Sequence, residues 1–199
     1  DKITFLRLAE RLHQLLDDLN APSVHLVGHS IGGMIAQQFA RTGQDRLMTM
    51  TLAQTSPAFG NKGGDFQKKF LADRLRPIQE GKSMADIVDE VLPGLIGKTP
   101  DPAGLSLART CMRKVPSDSY VALVNCLVTF EGRDHLPSIT VPTLVLAGEH
   151  DRNAPKVMME KMSQKIPGAE FAVISGVGHL APLEKPDTFN QVVLDFLAR

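Results

Sequence analysis

The order of patterns along the chain predicts an α/β architecture: a mostly parallel sheet with flanking helices and an inserted helical cap. Three observations carry that expectation. Short apolar runs alternate with amphipathic stretches near both ends of the chain. Residues 58–135 show helical patterns broken by Pro77, Pro93, Pro100, Pro102 and Pro116, without a clear strand. A glycine-rich turn joins a strand to a helix at residues 28–33. The core is therefore expected from residues 1–57 and 136–199, and the cap from 58–135.

Phe5, Leu8, Leu12, Leu15, Leu16 and Leu19 recur at three- and four-residue steps between charged residues, the pattern of an amphipathic helix. Asn20-Ala21-Pro22 ends it, and "VHLVG" (24–28) reads as a short buried strand. From Ile31 to about Thr42 the pattern is helical again. Gly32, Gly33, Ala36 and Ala40 are small enough there for close approach to a sheet, and Gly43 is expected as a left-handed cap. "LMTMTLA" (47–53) is the next strand. Within the cap, "DIVDEVLPGLIG" and "SYVALVNCLVTF" read as short helices. The chain then returns to strand (141–151), helix (154–166), strand (169–179) and a closing helix (186–199). That last helix has Pro186 in its first turn and Phe189, Val192, Val193, Phe196 and Leu197 on one face.

Composition narrows the function classes. The 199 residues carry 22 basic and 22 acidic side chains, a formal net charge of +0, so the footprint of a nucleic-acid or anionic-membrane binder is absent. No apolar run is long enough to cross a bilayer. Cys111 and Cys126 lack the CxxC spacing of a metal site and the density of a disulfide scaffold. They read as reduced, partly buried thiols, in keeping with a cytoplasmic setting. The first residues lack the order of a secretory signal and read as a helix already under way.

Gly28-His29-Ser30-Ile31-Gly32 lies between a strand and a helix, the context that makes G-x-S-x-G a nucleophile elbow. The serine takes a strained backbone conformation that lifts its hydroxyl off the sheet edge. The flanking glycines are expected because a Cβ there would collide with the adjoining strand and helix. Helix onset behind the serine aims backbone N–H groups at an oxyanion. Phosphate-binding turns instead need G-x-G-x-x-G or a lysine after the last glycine, and neither is present.

A serine hydroxyl needs a base, and the base an orienting acid. Asp151 ends the strand "TLVLAGEH" and His179 follows "EFAVISGVG", so both leave the same sheet edge as Ser30, in the order Ser, Asp, His. Glu149 is the alternative acid. His29 is expected to point away from the nucleophile, His25 to sit in a strand, and His13 and His135 on helix surfaces or loops. The run Glu149-His150-Asp151 suggests no metal site, since neighbouring side chains diverge.

With "GHSIGG", "RDHLPSITVPTLVLAGEHDRNAP" and "IPGAEFAVISGVGHLAPLEKPDTFNQVVLDFL" in place, the sequence resembles the α/β-hydrolase family over nearly its whole length. The stretches "RLRPIQEGKSMADIVDEVLPGLIG" and "PSDSYVALVNCLVTFEGRDHLP" are most similar to its 3-oxoadipate enol-lactonase and carboxylesterase branch. The resemblance implies Ser30 as nucleophile, His179 as base and acid, Asp151 as its orienting partner, and the Ile31 N–H as an oxyanion donor. It implies no cofactor and no metal, and a small-molecule ester or lactone as substrate, 3-oxoadipate enol-lactone among the candidates. Thioesterases, carbon–carbon bond hydrolases, perhydrolases and a non-catalytic ligand-binding module share the pattern and stay open. Family members also have strands before the elbow and a second oxyanion donor there, so a fragment with an apolar "VHLV" edge is the expectation. Phe66, Phe70, Leu71, Leu75 and Phe130 are candidate pocket walls. Arg109 and Arg133 are candidate partners for a substrate carboxylate.

Overall fold

Phe5, Ala9 and Leu16 fall on one stripe of a helix and are buried there, with Leu12 packed beside them. This is α1 (Phe5–Asp18) of the computed structural model, which describes residues 2–98 and 100–199. Thr4 caps it by accepting from the Arg7 N–H. Leu15 and Leu19 do not join that stripe: they stand 50% and 65% exposed, rotated off the line through residues 5, 9, 12 and 16.

Four parallel strands, β1 (Val24–His29), β2 (Leu47–Ala53), β3 (Thr143–Gly148) and β4 (Glu170–Ile174), form one sheet in the order β1-β2-β3-β4. β1 is an edge strand, with Val27 42% exposed. Across β1 and β2 the register slips by one residue opposite Met48, which is pushed out to 52% exposure.

β3 is buried at every position, the continuous apolar run of a strand covered on both faces. Val145 and Ala147 pack toward α2 (Ile31–Gly43) and α7 (Lys156–Ser163). Leu144 and Leu146 pack toward α9 (Pro186–Leu197), against Phe189, Val193 and Phe196. Alternation along one strand thus assigns the two helical layers.

Gly43 is not a left-handed cap, since its φ is −140° and the chain runs on into a 3₁₀ turn. Its smallness serves packing instead: a Cβ would stand 2.5 Å from the His13 ring and 2.9 Å from Phe39.

Between β2 and β3 lie α3 (Asp65–Gln79), α4 (Met84–Val91), α5 (Pro102–Arg113) and α6 (Ser117–Leu127). A short helix, α8 (Ala181–Glu184), precedes α9. Phe130, a candidate pocket wall, packs with its ring 4.7 Å from Phe5, where cap and core meet. Cys126 is buried and Cys111 is exposed rather than partly buried. Among the described residues, no helix is long and apolar enough to cross a membrane.

Candidate active site

Parallel strands send all their carboxyl ends to one edge, and the chemistry-bearing residues follow those ends. Ser30 comes directly after β1, at φ 52° and ψ −119°, a conformation few non-glycine residues adopt. Its N–H donates to the Ala53 carbonyl, and its own carbonyl accepts from Thr55 Oγ1 at 2.7 Å. The turn is tight enough that a Cβ on Gly28 would stand 2.5 Å from the Gly32 carbonyl oxygen, and one on Gly33 2.6 Å from Thr55. Gly32, in contrast, faces open space. The collision expected at the flanking glycines therefore holds at Gly28 and extends to Gly33, while Gly32 is free of it.

Asp151 leaves β3 and His179 leaves the loop after β4. His179 Nε2 lies 2.8 Å from Ser30 Oγ, and His179 Nδ1 lies 2.8 Å from Asp151 Oδ2. The structure thus brings Ser30, Asp151 and His179 together. The Asp151 side chain is wholly buried, and its other oxygen accepts from the Asn153 and Ala154 N–H groups. Burial alone would raise the Asp151 carboxyl. The His179 hydrogen bond and charge, with the two amides, outweigh it and hold the carboxyl below its ordinary value. Ile31 opens α2, and among the described residues no backbone carbonyl accepts its N–H.

Glu149 turns elsewhere, accepting from Ser175 Oγ and the Gly176 N–H, so it is not the partner of His179. The side chains at 149–151 do not all diverge as expected: His150 Nε2 lies 3.7 Å from Glu149 Oε2, while Asp151 faces His179. No group of three or more potential metal ligands gathers among the described residues. His25 sits in β1 beside Thr49, and His13 stacks on Phe39. His135 lies in a 3₁₀ segment, Arg133–Ser138, with its pKa lowered chiefly by burial.

His29 does not point away. Its Nε2–H donates to the His179 carbonyl at 2.6 Å, and the two rings lie 5.3 Å apart. Burial first, then the neighbouring His179, push its imidazole down to about 4, against the opposing pull of that carbonyl and Asp151.

Glu184 is a residue that the sequence reading passed over. Only 1% exposed, it accepts from the Gly178 and Leu180 N–H groups through one oxygen and from the Gly97 N–H through the other. It thereby ties the two amides bracketing His179 to the cap. The His179 N–H completes the tie by donating to Leu95. A glutamate five residues past a candidate base, in an otherwise apolar stretch, was the available signal.

A cavity of about 340 Å³ opens onto Ser30 and His179. Met34, Phe59, Phe70, Leu95, Met112 and Leu127 supply apolar wall, and Gln54, at φ 41° just past β2, also lines it. Of the expected wall residues only Phe70 takes part. Phe66 is 63% exposed, and Leu71, Leu75 and Phe130 do not line the cavity. Arg109 and Arg133 do not line it either: they pair with Asp89 and Glu131 on the surface. The cation in this cavity is Arg74, on α3.

Comparison with known proteins finds the same fold in esterases and lactonases. The thermophilic esterase from Thermogutta terrifontis is 29% identical, with a TM-score of 0.87 over 100% of this chain and 73% of that one. The enol-lactonase from Burkholderia xenovorans LB400 is 25% identical, with a TM-score of 0.88 over 100% of this chain and 75% of that one. In sequence, 3-oxoadipate enol-lactonase 1 of Acinetobacter baylyi is 26% identical over 200 residues, covering 99% of this chain and 72% of that protein. The model described as "Alpha/beta hydrolase family" matches residues 3–192, nearly the whole span that builds the sheet, cap and site. On that match, the chain belongs to the alpha/beta hydrolase family.

Proposed function

We propose that this protein is a serine hydrolase that cleaves a carboxylic ester or lactone through an acyl-enzyme on Ser30. The observation that carries the reading is the pair of 2.8 Å contacts joining Ser30 Oγ to His179 Nε2 and His179 Nδ1 to Asp151. The buried carboxylate holds the Nδ1–H tautomer, which leaves the Nε2 lone pair facing the serine hydroxyl.

Ser30 Oγ attacks the carbonyl carbon while its proton passes to His179 Nε2. The carbonyl electron pair moves onto oxygen, and the Ile31 N–H donates to the oxyanion so formed. Collapse expels the alkoxide, which takes the proton from Nε2; in a lactone that alkoxide stays attached to the acyl group. Water then attacks the acyl-enzyme with Nε2 again accepting a proton, and Ser30 leaves as its hydroxyl when that proton returns. The esterase and enol-lactonase among the relatives support an oxygen ester as the bond broken.

Hydrolysis of 4-nitrophenyl butyrate tests the reading. Ser30→Ala is expected to lower kcat by about 10³-fold or more, and a fluorophosphonate to label the unsubstituted protein at Ser30. A loss under about tenfold, or an unreactive serine in folded protein, would leave a ligand-binding module as the better account.

A further inference from the structure

Arg74 lines the same cavity as Ser30 and His179. Among the described lining residues there is no aspartate, glutamate or lysine, so this guanidinium is the cavity's fixed charge. Lys69, Lys82, Arg109 and Arg133, elsewhere in the cap region, each face a carboxylate. No described carboxylate forms an ion pair with Arg74. Its neighbour in sequence, Asp73, is taken by Lys69 at 2.8 Å.

What holds Arg74 is aromatic. Its guanidinium carbon lies 5.5 Å from the centroid of the Phe70 ring, and both side chains line the cavity. Tyr120 stands beside it on α6. Burial pushes that phenol above its ordinary value while the nearby guanidinium pulls it down, so at neutral pH the hydroxyl keeps its proton. Asn153 adds an amide to the same lining. A half-buried guanidinium with no described carboxylate partner, stacked on one ring and hydrogen-bonded to the Tyr120 hydroxyl, keeps further N–H donors for the two oxygens of a carboxylate. Apolar wall around it reduces competition from water.

Resting on the hydrolase reading above, we infer that Arg74 makes the cavity an anion-selecting site, and that the substrate carries a carboxylate remote from the scissile carbonyl. The cavity's volume of about 340 Å³ lies at the small end of the roughly 300–1,000 Å³ usual for small-molecule sites. That favours a short dicarboxylic half-ester or a carboxylated lactone over a long-chain ester.

Two matched esters at pH 8 read this out: 4-nitrophenyl hydrogen glutarate, anionic there, and its neutral methyl ester. Expected is a ratio of kcat/KM, acid over methyl ester, of about tenfold or more. It should fall to about one in Arg74→Gln, with Arg74→Lys between, chiefly through KM. The ratio is internal to each protein, so partial misfolding lowers both rates and leaves it unmoved. A ratio at or below one in the unsubstituted protein, or one unchanged in Arg74→Gln, overturns the inference. Binding of glutarate to Ser30→Ala, followed by calorimetry, decides the matter even if neither ester is turned over. Weakening of about tenfold or more on adding Arg74→Gln supports the subsite, and unaltered or absent binding refutes it. Failure of the hydrolase reading would instead appear as turnover of each ester left unchanged by Ser30→Ala, whatever the ratio between them.

Discussion

Ser30 is held by its surroundings in a conformation it would not choose. Its N–H and carbonyl are committed to Ala53, Gly33, Met34 and Thr55, while the space a Cβ would need at Gly28 and Gly33 is filled by the turn and by Thr55. Backbone in such a sparsely populated region costs about 1–3 kcal/mol, and it persists because several contacts over-determine it. Removing the hydroxyl separates this strain from the chemistry. Ser30→Ala keeps a Cβ at φ 52° and keeps the strain, whereas Ser30→Gly releases it against a chain-entropy penalty of roughly 0.5–1 kcal/mol. Both variants should be inactive, with Ser30→Gly melting about 2–4 °C higher for a net gain near 1 kcal/mol. Equal melting temperatures, or a lower one for glycine, would show that the elbow stores no strain.

The loop carrying His179 is fastened as a unit by α8. Glu184 accepts from amides on both sides of His179 and from Gly97 of the cap, so one carboxylate sets the height of the imidazole above Ser30. Glutamine cannot reproduce this arrangement, because its amide nitrogen must face a donor at one end. Glu184→Gln should therefore cost about 1–3 kcal/mol of stability. Fluorophosphonate labelling of Ser30, measured well below the melting temperature, should slow by about tenfold. Labelling within twofold of the unsubstituted rate would make Glu184 a purely structural residue.

The same elements show what was legible in the sequence. β3 reads as a buried strand because every residue is apolar or small, and Ser30, Asp151 and His179 could be placed on one edge because parallel strands share their carboxyl ends. Helices of the cap are different. Periodicity says that α3 has an apolar side but not which part of it meets a cavity, so Arg74 was overlooked in favour of Arg109 and Arg133. Phe130 was misassigned for a related reason, since its partner Phe5 is remote in sequence. His29 and Glu184 act through backbone groups of a distant loop, and side-chain pattern carries no trace of those partners.

For the molecule as a whole, the acid limb of stability follows from groups packed around the site. His29 has a folded-state pKa of about 4 against 6.5 for an unperturbed imidazole. The unfolded chain therefore takes up this proton first as pH falls, and folding loses free energy from about pH 6.5 downward until the folded protein protonates near 4. The full shift corresponds to roughly 3 kcal/mol. His135, also lowered by burial, acts in the same direction. Asp151 works at lower pH: its folded carboxyl lies below the ordinary 3.8, so the stability it contributes is present above that value and is lost as pH falls through its folded pKa. The melting temperature should accordingly drop by about 5–10 °C between pH 6.5 and 4.5, before carboxylate protonation begins in earnest. His29→Gln retains an N–H donor for the His179 carbonyl but has no proton to gain. It should flatten most of that drop, leaving the smaller share owed to His135. Scanning calorimetry of both proteins across this range checks the claim, and a drop of undiminished size in His29→Gln would place the acid sensitivity in some other group.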